Sequence, residues 1–316
     1  MLKEPLFIEP VFKERIWGGK ALAEVFHYDI PSERTGECWA VSGHSNGQTV
    51  VKNGEYKGLT LSELWENHRD LFGNHSSDTF PLLIKILDAN ADLSVQVHPD
   101  DEYGRKYESG ELGKTECWYI IDCKEDAEMI FGHHASSKEE LRAMIDRGEW
   151  DQLLRRVKIQ PGDFFYVPSG TIHALGEGTL VLETQQTSDT TYRVYDYDRV
   201  DQEGNKRELH LEKAIDVTTV PHVDREPTYH VKTVESAEIT TFVECEYFTV
   251  QKWSIDGKAS FEQNETFQII SVINGEGELS AGGQTFTVQK GDHFILPYEF
   301  GTFSFQGKLH MIVSYV

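Results

Sequence analysis

The fold is decided by the stretch Pro161-Gly-Asp-Phe-Phe-Tyr-Val-Pro168, because the chain contains a second stretch of the same form, Lys290-Gly-Asp-His-Phe-Ile-Leu-Pro297. Each stretch places a Gly-Asp turn before a run of mostly aromatic and β-branched residues, which favour strands. Each run then ends at a proline, which cannot donate a hydrogen bond to a neighbouring strand. The repeat predicts two copies of one β-rich unit.

Short apolar runs bounded by Gly, Pro or Asn recur along the rest of the chain, which is an all-β pattern. Clear examples are residues 49–51, 80–87, 118–121 and 179–184. Upstream of the second copy, residues 269–279 predict two strands joined by a tight glycine turn. A strand, a glycine turn, a second strand and then a Gly-Asp turn into a strand ending in proline are typical of a double-sheet jelly roll of the cupin type. The sequence therefore predicts a mainly β fold with two cupin-type jelly-roll barrels.

Two segments of the N-terminal part have helical spacing of apolar residues instead, at about residues 60–75 and 136–157. Ser62 and Ser137 occupy the positions expected of N-caps. We therefore predict small helical insertions between the strands of the first barrel, the second insertion being a pair of helices.

A set of polar residues in separate apolar runs predicts a metal site. Gln96 and His98 lie two residues apart, so their side chains should face the same side of a strand. That spacing alone fits a solvated sheet face as well as it fits a ligand pair. Glu116 and His173 add a carboxylate and a second imidazole near the ends of other predicted strands. Nitrogen and oxygen ligands without a thiolate suit a catalytic divalent metal.

The two copies differ where the metal would bind. His173 lies five residues after Pro168, but Thr302 stands five residues after Pro297, and alignment of the two Gly-Thr pairs places Ser304 at the histidine position. We predict a catalytic domain at residues 1–228, which contains both helical insertions, and a C-terminal cupin-like packing domain at residues 229–316 without a metal site. The boundary is placed in a polar stretch that contains Pro227.

The composition excludes several classes of partner. With 53 acidic and 30 basic residues the chain has a net charge of -23, which repels nucleic acid and anionic membrane surfaces. No apolar run is long enough to span a bilayer. Glu4 and Pro5 interrupt the N-terminal segment before an apolar stretch could form, which is unlike a secretory signal. The four cysteines show no Cys-x-x-Cys spacing. We expect a cytoplasmic protein without nucleic-acid or membrane partners, as a monomer or a weak homo-oligomer.

Five distinctive motifs are spread nearly from end to end of the chain: Arg15-Ile-Trp-Gly-Gly19, Gly36-Glu-Cys-Trp39, Ser94-Val-Gln-Val-His-Pro99, Lys114-Thr-Glu116 and Gly170-Thr-Ile-His-Ala-Leu175. With these motifs the chain resembles type I mannose-6-phosphate isomerases in their short bacterial form. The resemblance implies one zinc ion per chain, and it implies a reaction that interconverts mannose 6-phosphate and fructose 6-phosphate by proton transfer between C1 and C2 through an enediol. It also assigns the zinc ligands, as Gln96, His98, Glu116 and His173.

The resemblance further implies that Arg193 is a catalytic arginine. Lys114, two residues before Glu116, should point to the same side as that ligand and so act in catalysis or substrate binding. Trp17 could cover a sugar face or fill core between the barrels. The base that moves the proton stays open among Lys114, a second carboxylate such as Glu183, which we also place in substrate binding, and a hydroxide at the zinc.

Two other functions remain compatible with these residues. A two-histidine, one-carboxylate set also suits iron, so a metal-dependent cupin oxygenase is one alternative. A non-catalytic sugar-binding cupin is the other. Oxygen uptake distinguishes the first alternative, and the absence of solvent deuterium from C1 and C2 of the sugar distinguishes the second.

Overall fold

The computed structural model describes residues 4–200, 204–225, 229–263 and 265–316. Strands dominate it, and the predicted mainly β fold class is confirmed. The strands are β1 Leu6–Glu9, β2 Val11–Gly19, β3 Thr35–Val41, β4 Val50–Val51, β5 Leu82–Ala89, β6 Val95–Val97, β7 Glu116–Cys123, β8 Glu128–His133, β9 Leu154–Lys158, β10 Phe164–Val167, β11 His173–Ala174, β12 Thr179–Gln186, β13 Tyr192–Tyr195, β14 His230–Val234, β15 Ala237–Glu244, β16 Thr249–Gln263, β17 Gln268–Ala281, β18 Gln284–Gln289, β19 His293–Leu296 and β20 Gly301–Tyr315. The helices are α1 Ala21–Phe26, α2 Leu61–Asn67, α3 Asp101–Tyr107, α4 Lys138–Asp146, α5 Trp150–Leu153 and α6 Leu211–Val217, with a 3-10 helix at Arg69–Phe72.

The N-terminal part consists of two antiparallel sheets that face each other. The six-stranded sheet has the order β10-β7-β12-β5-β3-β2, and the five-stranded sheet has the order β13-β6-β11-β8-β9. Apolar side chains from both sheets meet between them, including Trp118 and Val181 from one and Met129 and Phe131 from the other. This is the predicted jelly-roll arrangement, and it leaves an interior face where polar residues can converge.

The six-stranded sheet is covered on its second face as well. Its strands β5 and β12 are buried at every position, unlike strands that have one face in water. Ile86 and Leu182 from this sheet pack in one core with Phe248 and Ile269 of the C-terminal part. The sheet therefore lies between the interior of the first barrel and the second barrel.

The C-terminal part forms a nine-stranded sheet that also takes in two strands from the start of the chain. Its order is β14-β15-β16-β20-β17-β19-β1-β4, with β18 paired to β17. Leu6 of β1 is paired with Ile295 of β19. The predicted boundary after residue 228 lies outside the described residues and stays a prediction. The pairing of β1 nevertheless means that residues 229–316 do not build their sheet alone.

The two repeated stretches form the strands that were expected. β10 and β19 each end directly before the proline of their stretch. The prediction of two strands with a turn within residues 269–279 is wrong, because β17 is continuous across them. Gly275 has φ +86°, and a Cβ there would lie 1.9 Å from the carbonyl oxygen of Lys308 in β20. Glycine is needed here for close approach to the neighbouring strand, and the turn comes later, between β17 and β18.

The helical insertions differ from the prediction at their ends. Thr60, rather than Ser62, is the N-cap of α2, because its side chain accepts from the amide of Glu63 while the Glu63 side chain accepts from the Thr60 amide. Ser137 caps α4 as expected. The prediction of helix up to residue 157 is wrong, since β9 begins at Leu154 and pairs with β8. Exposed and partly buried side chains alternate along β9, and this period of two residues is typical of a strand with one face in water.

Candidate active site

The two facing sheets bring the predicted ligand residues together. His173 on β11 is paired with Gln96 on the adjacent strand β6, and His98 follows β6 directly. Glu116 is the first residue of β7 in the opposite sheet. His98, Glu116 and His173 are fully buried. The site thus lies in the interior of the first barrel, between the sheets.

The side-chain atoms of these residues converge on one point. Glu116 Oε1 lies 3.3 Å from His173 Nε2, and Glu116 Oε2 lies 3.6 Å from His98 Nε2. Gln96 Nε2 lies 3.3 Å from His173 Nε2, and a half-turn of the amide would bring its oxygen to that position. The candidate ligand atoms of the two histidines and the glutamate lie within 4.8 Å of one another. This is close enough for one ion to be shared.

The surroundings hold both imidazoles in the form that binds metal. His98 Nδ1 lies 2.8 Å from the carbonyl oxygen of Thr190, and His173 Nδ1 lies 2.9 Å from that of Thr171. A carbonyl can only accept, so each Nδ1 carries the hydrogen and each Nε2 presents a lone pair to the centre. Burial lowers the pKa of His98 well below its usual range and that of His173 to about 4. Both rings are therefore neutral near pH 7.

The residues fit a divalent metal ion. His98 Nε2 and Glu116 Oε1 are buried and make no hydrogen bond to a described residue. Polar atoms left in that state cost about 1–3 kcal/mol each, so a ligand that satisfies them is favoured. Burial, together with nearby Glu183, raises the pKa of Glu116, whereas Lys114 lowers it. A cation at the centre would stabilise the ionised carboxylate further.

A cavity of about 470 Å³ opens beside this centre. Its size is in the range of small-molecule sites. It is lined by the predicted metal ligand Gln96 and by the residues predicted to act in catalysis or substrate binding, namely Trp17, Lys114, Glu183 and Arg193. The structure therefore places the predicted substrate residues against one cavity next to the candidate metal ligands.

Lysines and carboxylates alternate along one wall of the cavity. Lys114 Nζ lies 2.8 Å from Glu116 Oε2 and 4.0 Å from Glu183 Oε1. Lys85 Nζ lies 3.5 Å from Glu183 Oε1, and the Trp118 indole donates to Glu183 Oε2 at 2.9 Å. Burial lowers the pKa of Lys114, but Glu116 and Glu183 outweigh it and the net shift is upward. Burial raises the pKa of Glu183, but Lys114 and Lys85 outweigh it and the net shift is downward. Lys114 is therefore a cation and Glu183 an anion near neutral pH.

The guanidinium of Arg193 lies near the carboxylates of Asp196 and Glu208. Its Nε and Nη1 atoms are buried and make no hydrogen bond to a described residue. Burial and the nearby guanidinium of Arg207 lower its pKa. A fixed positive charge with free donors in a half-buried cavity wall is suited to an anionic or oxygen-rich ligand.

Comparison with known proteins identifies the family. Residues 6–137 match the family described as phosphomannose isomerase type I, catalytic domain, and residues 238–316 match that described as mannose-6-phosphate isomerase, cupin domain. The chain is 62% identical over 316 residues, 100% of both chains, to mannose-6-phosphate isomerase ManA of Bacillus subtilis. The chain belongs to the type I phosphomannose isomerase family.

Other members of the family are similar over the same length. The mannose-6-phosphate isomerase of Streptococcus mutans is 52% identical over 315 residues, which are 99% of each chain. The crystal structure of the mannose 6-phosphate isomerase from Bacillus subtilis superposes with a TM-score of 0.97 at 58% identity and covers 99% of each chain. The whole described fold is therefore that of the family. Among the described residues, no helix is both long enough and apolar enough to cross a membrane.

Some cavity residues of this family member were not found from the sequence. Lys85 had a signal that could have been used, because it is a lone lysine inside an apolar strand and such residues are rarely buried without a partner. Asp189, Arg207 and His210 also line the cavity, but they lie in polar segments with no distinctive pattern. Trp17 packs in the core between the two sheets of the first barrel, rather than between the barrels, and it lines the cavity as well.

Replacement of His173 by alanine is expected to weaken divalent metal binding by more than about 100-fold, since loss of even an outer partner of a ligand costs about 10- to 100-fold. Calorimetric titration of the metal-free protein measures this affinity. The matched control is His133→Ala, another buried histidine, whose Nε2 lies 2.9 Å from the carbonyl oxygen of Thr219 and which is not among the converging ligands. Equal metal affinity in the two folded variants would contradict the assignment of His173.

Proposed function

We propose that this chain is a zinc-dependent mannose-6-phosphate isomerase that interconverts mannose 6-phosphate and fructose 6-phosphate. The observation that carries the proposal is the convergence of two neutral imidazoles and a carboxylate, with unsatisfied buried atoms, beside a cavity that holds Lys114, Glu183 and Arg193. Membership of the type I family supports the same activity. The comparisons do not favour the cupin oxygenase or the non-catalytic sugar-binding module.

Gln96, His98, Glu116 and His173 would hold the zinc ion. These nitrogen and oxygen donors suit zinc, and a set of three or four protein ligands leaves a position for a sugar oxygen. When bound, zinc would supply Lewis-acid stabilisation of the negative charge that develops on the sugar oxygens during enolisation. The position of Gln96 beside His173 supports its inclusion as the fourth ligand.

The chain's own residues are arranged around the two carbons that exchange the proton. Lys114, protonated and buried, would donate a hydrogen bond to a sugar oxygen as that oxygen gains charge. Arg193 would add a second fixed positive charge with unused donors. Glu183, ionised between two lysines, is suited to accept the proton. Trp17 would cover one side of the bound sugar.

The charge of the cavity fits an anionic substrate although the whole chain is acidic. The charged side chains that line the cavity are the cations Arg15, Lys85, Lys114, Arg193 and Arg207 and the anions Glu37, Glu183 and Asp189. The chain as a whole has a net charge of -23. The reversal of sign inside the cavity favours a sugar phosphate over a neutral sugar.

We also propose that the protein works in the cytoplasm as a monomer or a weak homo-oligomer, with the C-terminal barrel as a packing domain. The four cysteines are free, which fits a reducing compartment. Cell fractionation tests the cytoplasmic location, and analytical ultracentrifugation tests the oligomeric state. A tightly associated oligomer would contradict the proposed monomer or weak homo-oligomer. A metal content of two ions per chain would contradict a C-terminal barrel without a site.

The activity itself is tested by a coupled assay of purified protein with mannose 6-phosphate. We expect production of fructose 6-phosphate, loss of turnover with a chelator, and recovery on addition of about one Zn²⁺ per chain, because the buried centre has one set of converging ligands among the described residues. Oxygen consumption is measured in parallel. Turnover that persists in the chelated protein would contradict a role for the metal, and substrate-dependent oxygen uptake would favour the oxygenase.

Replacement of Arg193 by alanine is expected to lower kcat by about 10²–10³-fold, the usual cost of removing one preorganised charge-stabilising donor group. The metal content should stay as in the wild type, because Arg193 is not among the residues whose ligand atoms converge. Steady-state kinetics and metal analysis are measured on the same samples. Arg142→Ala, which removes an exposed arginine paired with Glu212, is the control and should keep full activity. A fully active Arg193 variant would refute its role.

Replacement of Glu183 by glutamine is expected to slow exchange of the C2 hydrogen of mannose 6-phosphate with solvent by about 10²–10⁴-fold, since a neutral amide cannot take up the proton. Incorporation of deuterium from D₂O, followed by NMR, measures the exchange directly. Wild-type rates of exchange in the Glu183 variant would exclude this carboxylate as the base and leave Lys114 and a hydroxide at the zinc as the other two candidates.

A further inference from the structure

A row of side chains runs across the five-stranded sheet from the metal centre to the edge of the sheet. His173 on β11 is paired with Gln96 on β6, and Gln96 is paired with Arg193 on the edge strand β13. Adjacent strands are about 4.8 Å apart, so the backbone of Arg193 lies roughly 10 Å from that of His173. The cavity therefore extends from the candidate ligands towards this edge.

His210 continues the row beyond the edge strand. Its backbone amide donates to the carbonyl oxygen of Arg193 at 2.8 Å, and its ring Nδ1 accepts from the Arg193 amide at 3.1 Å. Because Nδ1 is an acceptor, the neutral ring carries its hydrogen on Nε2. His210 lines the cavity. It therefore offers a donor at the end of the cavity that is far from Glu116.

Arg207 adds a second guanidinium at the same end of the cavity. It binds Asp196 through two contacts, with Nε 2.8 Å from Oδ2 and Nη2 2.6 Å from Oδ1. Asp196 is shared with Arg199, whose Nη2 donates to the same Oδ1. One carboxylate thus faces two guanidiniums, and Arg193 lies nearby with buried Nε and Nη1 atoms that make no hydrogen bond to a described residue. Arg207 also lines the cavity.

The other cations of the cavity are occupied elsewhere. Arg15 binds both oxygens of Glu37 at 2.8 and 3.0 Å. Lys114 lies against Glu116, and Lys85 lies against Glu183. A phosphate close to the metal centre would face those carboxylates. A phosphate at the edge of the sheet would face three guanidiniums and the unused donors of Arg193, against the carboxylate of Asp196 and the more distant Glu208, 4.0 Å from His210 Nε2. The excess of positive charge at the edge is therefore available to a ligand.

We propose that Arg207 and His210 form the subsite for the phosphate group of the sugar phosphate, with Arg193 between that group and the metal centre. The inference rests on the proposed function. Guanidinium groups bind phosphate oxygens through paired, charge-assisted hydrogen bonds, and the Nε2 hydrogen of His210 supplies a further donor. The substrate lies with its carbonyl end at the metal ligands and its phosphate at the edge of β13. This subsite selects phosphorylated over free sugars.

The test compares Arg207→Gln with the wild-type holoenzyme. We expect KM for mannose 6-phosphate to rise by about tenfold or more, because charge-assisted hydrogen bonds to the phosphate are lost, while kcat falls less. The inhibition constants of inorganic phosphate and of sorbitol 6-phosphate should rise by a similar factor. The inhibition constant of unphosphorylated sorbitol should not change. Arg207→Lys keeps the positive charge but loses the paired N–H donors of the guanidinium. It should recover part of the affinity for phosphate.

Arg142→Gln is the matched control, since Arg142 also binds a carboxylate through two contacts, to Glu212 at 2.6 and 2.7 Å, but lies outside the cavity. It should keep wild-type constants. If Arg207 were only structural, its loss would weaken phosphorylated and free inhibitors alike and lower the melting temperature, and that result would overturn the subsite. Unchanged inhibition by both phosphate compounds would overturn it too. A wild-type protein without turnover of mannose 6-phosphate would instead refute the proposed function.

Discussion

The burial of the Glu116 carboxylate is the constraint on which the rest of the site depends. A carboxylate removed from water costs several kcal/mol unless opposite charges or donors surround it. Lys114 forms an ion pair with Oε2 at 2.8 Å, Oε1 faces His173 Nε2 at 3.3 Å, and neither oxygen makes a hydrogen bond to a described residue. Because the carbonyls of Thr171 and Thr190 fix the hydrogens of both imidazoles on Nδ1, the rings present lone pairs and not donors. The arrangement is stable around a bound cation and costly without one.

The C-terminal barrel contributes to this site without lining the cavity. Glu116 and Cys117 are neighbours on β7, and because side chains alternate along a strand they face opposite sides of the six-stranded sheet. Cys117 packs in the core shared with Phe248 of the C-terminal part. In the same way Glu183 faces the cavity while the hydroxyl of Thr184 lies 3.2 Å from that of Ser314. The second barrel thus packs against the face of the six-stranded sheet that lies opposite the cavity. This packing keeps water from the strands that carry the charged groups.

The charged side chains of the cavity differ between the end near the metal ligands and the end at the edge of the sheet. Near the metal ligands, lysines alternate with carboxylates, so each charge is balanced and proton transfer can take place among groups of opposite sign. Towards the edge of the sheet, Arg199 and Arg207 both bind the carboxylate of Asp196, which also acts on the charge of Arg193. A substrate with a reactive carbonyl at one end and an anionic group at the other matches this gradient.

The sequence by itself determined the β class, the repeated Gly-Asp strand, the positions of α2 and α4 and the two histidines with the glutamate, because each of these depends on residues that are close together in the chain or on motifs that identify the family. Tertiary structure decided the rest. The sequence did not indicate that β1 joins the C-terminal sheet, that β17 continues past Gly275 against Lys308, or that Lys85 and Arg207 line the cavity. Each of these is set by a contact between residues far apart in the chain, and local spacing carries no information about which distant strand or carboxylate a side chain will meet.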